Sequence, residues 1–191
     1  MAAPNSNTLS AITWPTKFLP GTTDNFVSNE VIAKNLSASQ IWALLSDISK
    51  WESYYKNCTQ ITPPKSDHSP SLRKGDNFSF STFGFPPLDS TVQESVAPGD
   101  GPGQPGRLAW TAAQGDLVIY HAWLVEDLEG GRVRILTQES QIGEPFVEMS
   151  EAKPNKMLLG HQDWLDGLVK AARGQSIGAT NLGSVGAWER S

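Results

Sequence analysis

A chain of 191 residues that is 38% hydrophobic and 18% charged can bury about 70% of its unfolded surface in a core, and it is too apolar for wholesale disorder. Its 15 basic and 20 acidic residues leave a net charge of −5 with no Lys/Arg cluster to neutralise a row of phosphates, so nucleic acid is not an expected partner. The single cysteine, Cys58, excludes an internal disulfide and a cysteine-based zinc cluster, and reads as a small buried side chain.

Residues 1–25 are rich in Pro, Ser, Thr and Asn and predict an arm lying against the fold, pinned by Trp14 and Phe18. This segment has neither the basic n-region nor the apolar run of a secretory signal, and no stretch of ~18 apolar residues occurs. The expectation is a cytoplasmic protein without a membrane span, in which the N-x-S/T sequons at Asn35, Asn57 and Asn77 stay unused. The alternating pattern from Phe26 to Leu36 predicts a first strand. Ser37-Ala38-Ser39-Gln40 then has the capping-box form, and Ser49-Lys50-Trp51-Glu52 repeats it, so two short consecutive helices are expected.

From Thr59 to Gln141 apolar runs separated by Gly, Pro or Asp predict an antiparallel meander of about six strands. Phe78 and Phe80 share a face, while Phe83 and Phe85 have the opposite parity unless a bulge near Ser81–Phe83 turns them in. Gly101-Pro102-Gly103-Gln104-Pro105-Gly106 matches the dinucleotide fingerprint only formally. Its prolines and the strand-like run after it predict a hairpin loop over 98–106, and no cofactor is expected. Glu129-Gly130-Gly131 reads as a hairpin turn.

Pro154 at a first helical turn and Gly174 past a helix end frame a long C-terminal helix. At 100° per residue, Met157, Leu158, His161, Trp164, Leu165, Leu168 and Ala172 form its apolar face, with Lys156, Asp163, Asp166 and Lys170 turned away. Residues 26–173 are thus the expected domain, and 174–191, with Trp188, a flexible tail.

The segments IWALLSDISKWESYY and HAWLVEDLEGGRVRILTQESQIG resemble the entry helices and the paired strands of the START-like, or SRPBCC, superfamily, in its polyketide cyclase/dehydrase branch. The resemblance covers roughly residues 25 to 173. It implies an α+β helix-grip fold: a curved antiparallel sheet of about seven strands around a long C-terminal helix, with two short helices after the first strand. It also implies a hydrophobic ligand in an internal cavity.

The residues supply walls for such a cavity independently: Phe78, Phe80, Trp110, Trp123, Met157 and Trp164, with Tyr120 if its strand turns that way. These aromatics are more bulk than a thin sheet-on-helix layer needs. Ligand binding is therefore expected to change the emission of Trp110, Trp123 and Trp164. Val133, Ile135 and Thr137 are in phase with Glu139, which places its carboxyl on the inward face, where desolvation would raise its pKa toward neutrality for proton transfer. His121 shares parity with Trp123 and Val125, and a one-residue change of register would exchange it with Tyr120. His161 lies at the centre of the last helix's apolar stripe and demands a polar partner. Glu139, His121 and His161 are the candidate catalytic residues. They also form a conceivable ligand set, but no local metal-binding spacing supports it, so no metal is expected. His68, in a polar loop, is expected to face solvent.

The leading reading is a cofactor-independent cyclase- or dehydratase-like enzyme on a polyketide- or terpenoid-type metabolite, including a pericyclic cyclisation. It would work as a monomer or homodimer. A non-catalytic carrier or ligand sensor would need the same cavity, and a chaperone-assisting module would use the 98–106 loop.

Overall fold

The structure is a computed structural model that describes residues 9–176. Trp188 and nearly all of the predicted tail lie outside the described residues. Seven strands form one antiparallel sheet: β1 (Asn25–Lys34), β2 (Cys58–Thr62), β3 (Asn77–Thr82), β4 (Leu88–Val96), β5 (Gly106–Gln114), β6 (Leu117–Leu128) and β7 (Arg132–Ile142). Their order is β1-β7-β6-β5-β4-β3-β2, so only the return of β1 to β7 departs from a meander. The sheet curls as a half-barrel. Helices α1 (Ala38–Leu45) and α2 (Trp51–Tyr54) follow β1, and α3 (Glu144–Glu151) and α4 (Lys156–Ala172) follow β7.

Local chemistry accounts for most of these elements. Ser37 and Gln40 close the predicted capping box, with Gln40 N–H donating to Ser37 Oγ (3.3 Å) and Ser37 N–H to Gln40 Oε1 (2.9 Å). The second predicted box does not form. Asp47 caps a 3-10 turn by accepting from Ser49 N–H (3.1 Å) and Ser49 Oγ (2.6 Å), so Ser49 is spent on Asp47 rather than on α2. Gly130 and Gly131 turn β6 into β7 with φ of +76° and +65°, conformations costly for any residue with a Cβ. This hairpin sets the register in which His121 stands opposite Glu139.

The long helix begins at Lys156, with Asn155 as N-cap and Pro154 before it; Gly174 lies past its end with φ +68°. Its buried arc is wider than the sequence predicts, because α1 and α2 cover a second side. Asp163, expected outward, is therefore buried, while Leu158, expected inward, is exposed. Helix α3 was not anticipated, although Pro145 in its first turn is a start signal.

The concave side of the sheet holds an aromatic core in which Trp51 stands 5.1 Å from Trp164, 5.3 Å from Phe80 and 5.5 Å from Trp110 between ring centroids. The opposite side of β6 is buried too, because the N-terminal arm lies over it. Phe18 stacks on Tyr120 at 5.5 Å and Trp14 meets the same ring at a tilt at 5.6 Å, and Arg134 ties Ser10 O (2.7 Å), Glu126 (2.7 Å) and Glu30 (2.6 Å) together. Cys58 is buried and free, and His68 pairs with Asp76 at 2.9 Å rather than simply facing solvent.

Candidate functional site

A cavity opens between the sheet and α4 where the aromatic core stops. Phe80, Ile119, Phe146 and Met157 form its walls, and Phe83 and Phe85 of the β3–β4 turn close over it. The closure relies on a notch: a Cβ on Gly160 would meet Phe83 Cζ at 2.2 Å, so only glycine lets that ring rest on α4. Phe83 itself has φ +54°, the left-handed turn that brings Phe83 and Phe85 back onto the face of Phe80. The free volume is about 30 Å³, room for about two waters.

The floor is polar. Glu139 on β7 faces His121 on β6, its cross-strand partner, and His161 on α4 approaches from above. Glu139 Oε2 lies 2.9 Å from His121 Nδ1 and 3.3 Å from His161 Nε2, and the two imidazoles stack at 4.6 Å with 11° between their planes. Gln141 Nε2 donates to the other carboxylate oxygen, and the Thr137 hydroxyl meets His121 Nε2 at 2.7 Å. All three titratable side chains are almost fully buried.

Burial alone would raise the Glu139 pKa, as the sequence leads one to expect. Here the His121 and His161 rings outweigh it and hold the carboxyl well below the ordinary carboxylate range, which corrects the expected shift toward neutrality. Burial pulls His121 down to about 4 against the attraction of Glu139, so its imidazole is neutral at physiological pH. The floor is an ionised acid beneath a neutral ring.

Of the residues singled out in the sequence, the fold brings Glu139, His121, His161, Phe80, Met157 and Trp164 to the cavity. Phe78, Trp110 and Trp123 do not line it. They are consumed in ring contacts within the core, Phe78 and Trp110 on Trp51 and Trp123 on Trp164 at 5.2 Å. Tyr120 points to the other face, beneath the arm. Sequence reasoning missed Gln141, whose period-two phase with Glu139 was available, and missed Asn25 and Asn155, whose approach to the floor is purely tertiary.

One ligand atom from each of His121, Glu139 and His161 lies within 4.8 Å of the others, so the three have the proximity of a metal site. The donor set fits one poorly. A metal on His161 Nε2 would put the hydrogen on Nδ1, which is buried without a partner, whereas ligating imidazoles almost always pass that hydrogen to an acceptor.

The curled sheet, the long helix it grips and the cavity between them make a helix-grip fold. Solved structures of that fold include DynU16, from the dynemicin biosynthetic locus, 13% identical over 79% of this chain and 48% of that one, with a TM-score of 0.55. Another is the di-domain ARO/CYC protein BexL of the BE-7585A biosynthetic pathway, 10% identical over 75% of this chain and 45% of that one, with a TM-score of 0.52. At such identities the likeness is one of fold. The hypothetical protein jhp0584 from Helicobacter pylori is 48% identical over 87% of this chain and 98% of its own, with a TM-score of 0.80, and the chain belongs to that protein's family. No family model and no curated protein matches the chain. Among the described residues no helix is long and apolar enough to cross a membrane.

Proposed function

We propose that this protein takes a hydrophobic small molecule into the cavity and acts on it as a cofactor-independent cyclase- or dehydratase-type enzyme for polyketide- or terpenoid-type metabolites, a pericyclic ring closure included. The observation that carries this reading is the Glu139 carboxyl, 2.9 and 3.3 Å from two imidazoles on the floor of an otherwise apolar cavity. A carboxyl and two imidazoles gathered on a cavity floor are the group types that proton transfer uses. The occurrence of the fold in biosynthetic proteins supports the substrate class.

In this reading the apolar walls fold the substrate so that its reacting carbons meet, which removes most of the entropic barrier to ring closure. The imidazole–carboxylate set takes a proton from the carbon next to a carbonyl, the enolate attacks a second carbonyl, and the proton returns to the new alkoxide to give an alcohol; in a dehydration a second proton is then taken from the same carbon, the C–O bond breaks, and that proton leaves with the hydroxide as water. Because the closed cavity admits only about two waters, Phe83 must leave the Gly160 notch for substrate to enter.

The test is turnover of a poly-β-ketone thioester, followed by the appearance of aromatic absorbance. Wild type should form ring products, and Glu139→Gln and His121→Ala should each bind the thioester but lose most of the rate. Wild-type rates in both variants would refute the proton-transfer assignment. A wild type that binds the thioester and never converts it would favour a carrier.

A further inference from the structure

The hydrogen bonds beneath the floor read in one direction only, because a helix end sets their polarity. Asn155 caps α4, its Oδ1 accepting from Met157 N–H (3.0 Å) and Leu158 N–H (3.2 Å), and backbone N–H groups can only donate. Its Nδ2 is therefore free to donate to Asn25 Oδ1 at 3.1 Å. That turns Asn25 Nδ2 toward Gln141 Oε1 at 2.5 Å, and leaves Gln141 Nε2 to donate to Glu139 Oε1. Reversing any amide would set donor against donor or acceptor against acceptor somewhere along the chain.

At Glu139 Oε2 the two imidazoles converge, and a carboxylate oxygen accepts from both. His121 then carries its hydrogen on Nδ1, and the Thr137 hydroxyl donates into Nε2. His161 donates from Nε2, and its Nδ1 is buried and without a partner in a ring that lines the cavity. Among the described residues Asn29 Oδ1, Ser66 Oγ and the Nε1 atoms of Trp110, Trp123 and Trp164 are also buried without a partner, but of these residues only Trp164, whose Nε1 is a donor, joins His161 in the cavity lining.

We infer that His161 Nδ1 is the acceptor for the bound molecule, and that this molecule is hydrophobic and presents an acidic hydrogen-bond donor, an enol or phenol hydroxyl, at the end that reaches the floor. The inference rests on the reading of the cavity as a ligand site and adds the chemical class of the ligand. The proton of that hydroxyl passes to Nδ1, leaving an enolate or phenolate oxygen, and the imidazolium so formed is neutralised by Glu139 at Nε2. Asn155, Asn25 and Gln141 are positioning residues that act through Glu139.

Two measurements test this. The first is imidazole-nitrogen NMR of the full chain at neutral pH. It should show His161 protonated on Nε2 and bare on Nδ1, and Asn155→Ser, which keeps a capping oxygen but cannot donate to Asn25, should mix the tautomers. Protonation on Nδ1 with Nε2 bare would overturn the inference whatever binds. The second compares a naphthol with its methyl ether by tryptophan quenching. The naphthol should bind about tenfold more tightly, the difference expected for one satisfied buried hydrogen bond, and His161→Phe should bring the ratio to about one. Equal binding in wild type would sink the donor class while leaving the cavity a ligand site; if neither probe binds, the tautomer decides.

Discussion

Two ends of the same interior use aromatic rings to opposite effect. At one end Trp51, Phe78, Trp110 and Trp164 meet at centroid distances between 5.1 and 6.3 Å and fill the space between sheet and helix. At the other, Phe80, Phe83, Phe85 and Phe146 enclose a cavity, because the surfaces they would pack on are a glycine and a polar cluster. Rings alone do not make a binding site; a site appears where flat apolar faces run out of apolar partners. The packed end should govern stability, and the cavity end ligand chemistry.

The largest expected effect breaks the packed end. Trp110→Ala removes a fully buried ring that does not line the cavity and should cost about 3–5 kcal/mol, read as a lower urea midpoint. A loss below about 1 kcal/mol would mean that this end is as loosely filled as the other.

Acid should act next, through the floor. The folded-state pKa of His121 is about 4, below the ordinary 6.5, so between these values the unfolded chain binds the proton that the folded chain refuses. Stability present above pH 6.5 should then fall as pH drops toward 4, by up to about 1.4 kcal/mol per pH unit. Glu139, also depressed, adds a loss in the same direction below its ordinary 4.5. Urea midpoints that stay flat across this window would contradict a neutral buried imidazole.

A smaller effect separates closure from stability. Gly160→Ala improves helix propensity by about 1 kcal/mol but drives its Cβ into Phe83, so overall stability should change little while the β3–β4 turn swings outward. Ligand association, followed by stopped-flow fluorescence, should become faster; an unchanged rate would mean that Phe83 is not the barrier to entry. The smallest effect is spectroscopic. Of Trp110, Trp123 and Trp164 only Trp164 lines the cavity, so Trp164→Phe should abolish most ligand-induced quenching and Trp123→Phe little of it.

How much of this could be read from the sequence follows from the range of each interaction. Strand periodicity, the Ser37–Gln40 capping box and the Gly130-Gly131 turn are local; the periodicity placed Glu139 on the inward face, and the turn set beside it a strand that could present either His121 or Tyr120. The seven-stranded helix-grip architecture was likewise readable from element order and the two resembling segments. What escaped is tertiary. Asn25 and Gln141 lie 116 residues apart in sequence, and no local pattern announces their contact. Counting tryptophans shows how much ring surface must be buried but not where the gaps fall, which is why Trp110, Trp123 and Phe78 read as cavity walls and turned out to be packing. The sign of the Glu139 shift failed for a related reason: burial was visible in the strand phase, but the donors converging on the carboxylate from β6, β7 and α4 were not.

Carboxyl-carbon NMR of glutamate-labelled protein tests the central claim most directly. The Glu139 resonance, assigned by its absence from Glu139→Gln, should stay that of an ionised carboxylate from neutral pH down through the ordinary glutamate value of 4.5. A Glu139 carboxyl that protonates near neutrality would contradict it, and would return the floor to the desolvated acid that strand periodicity alone suggests.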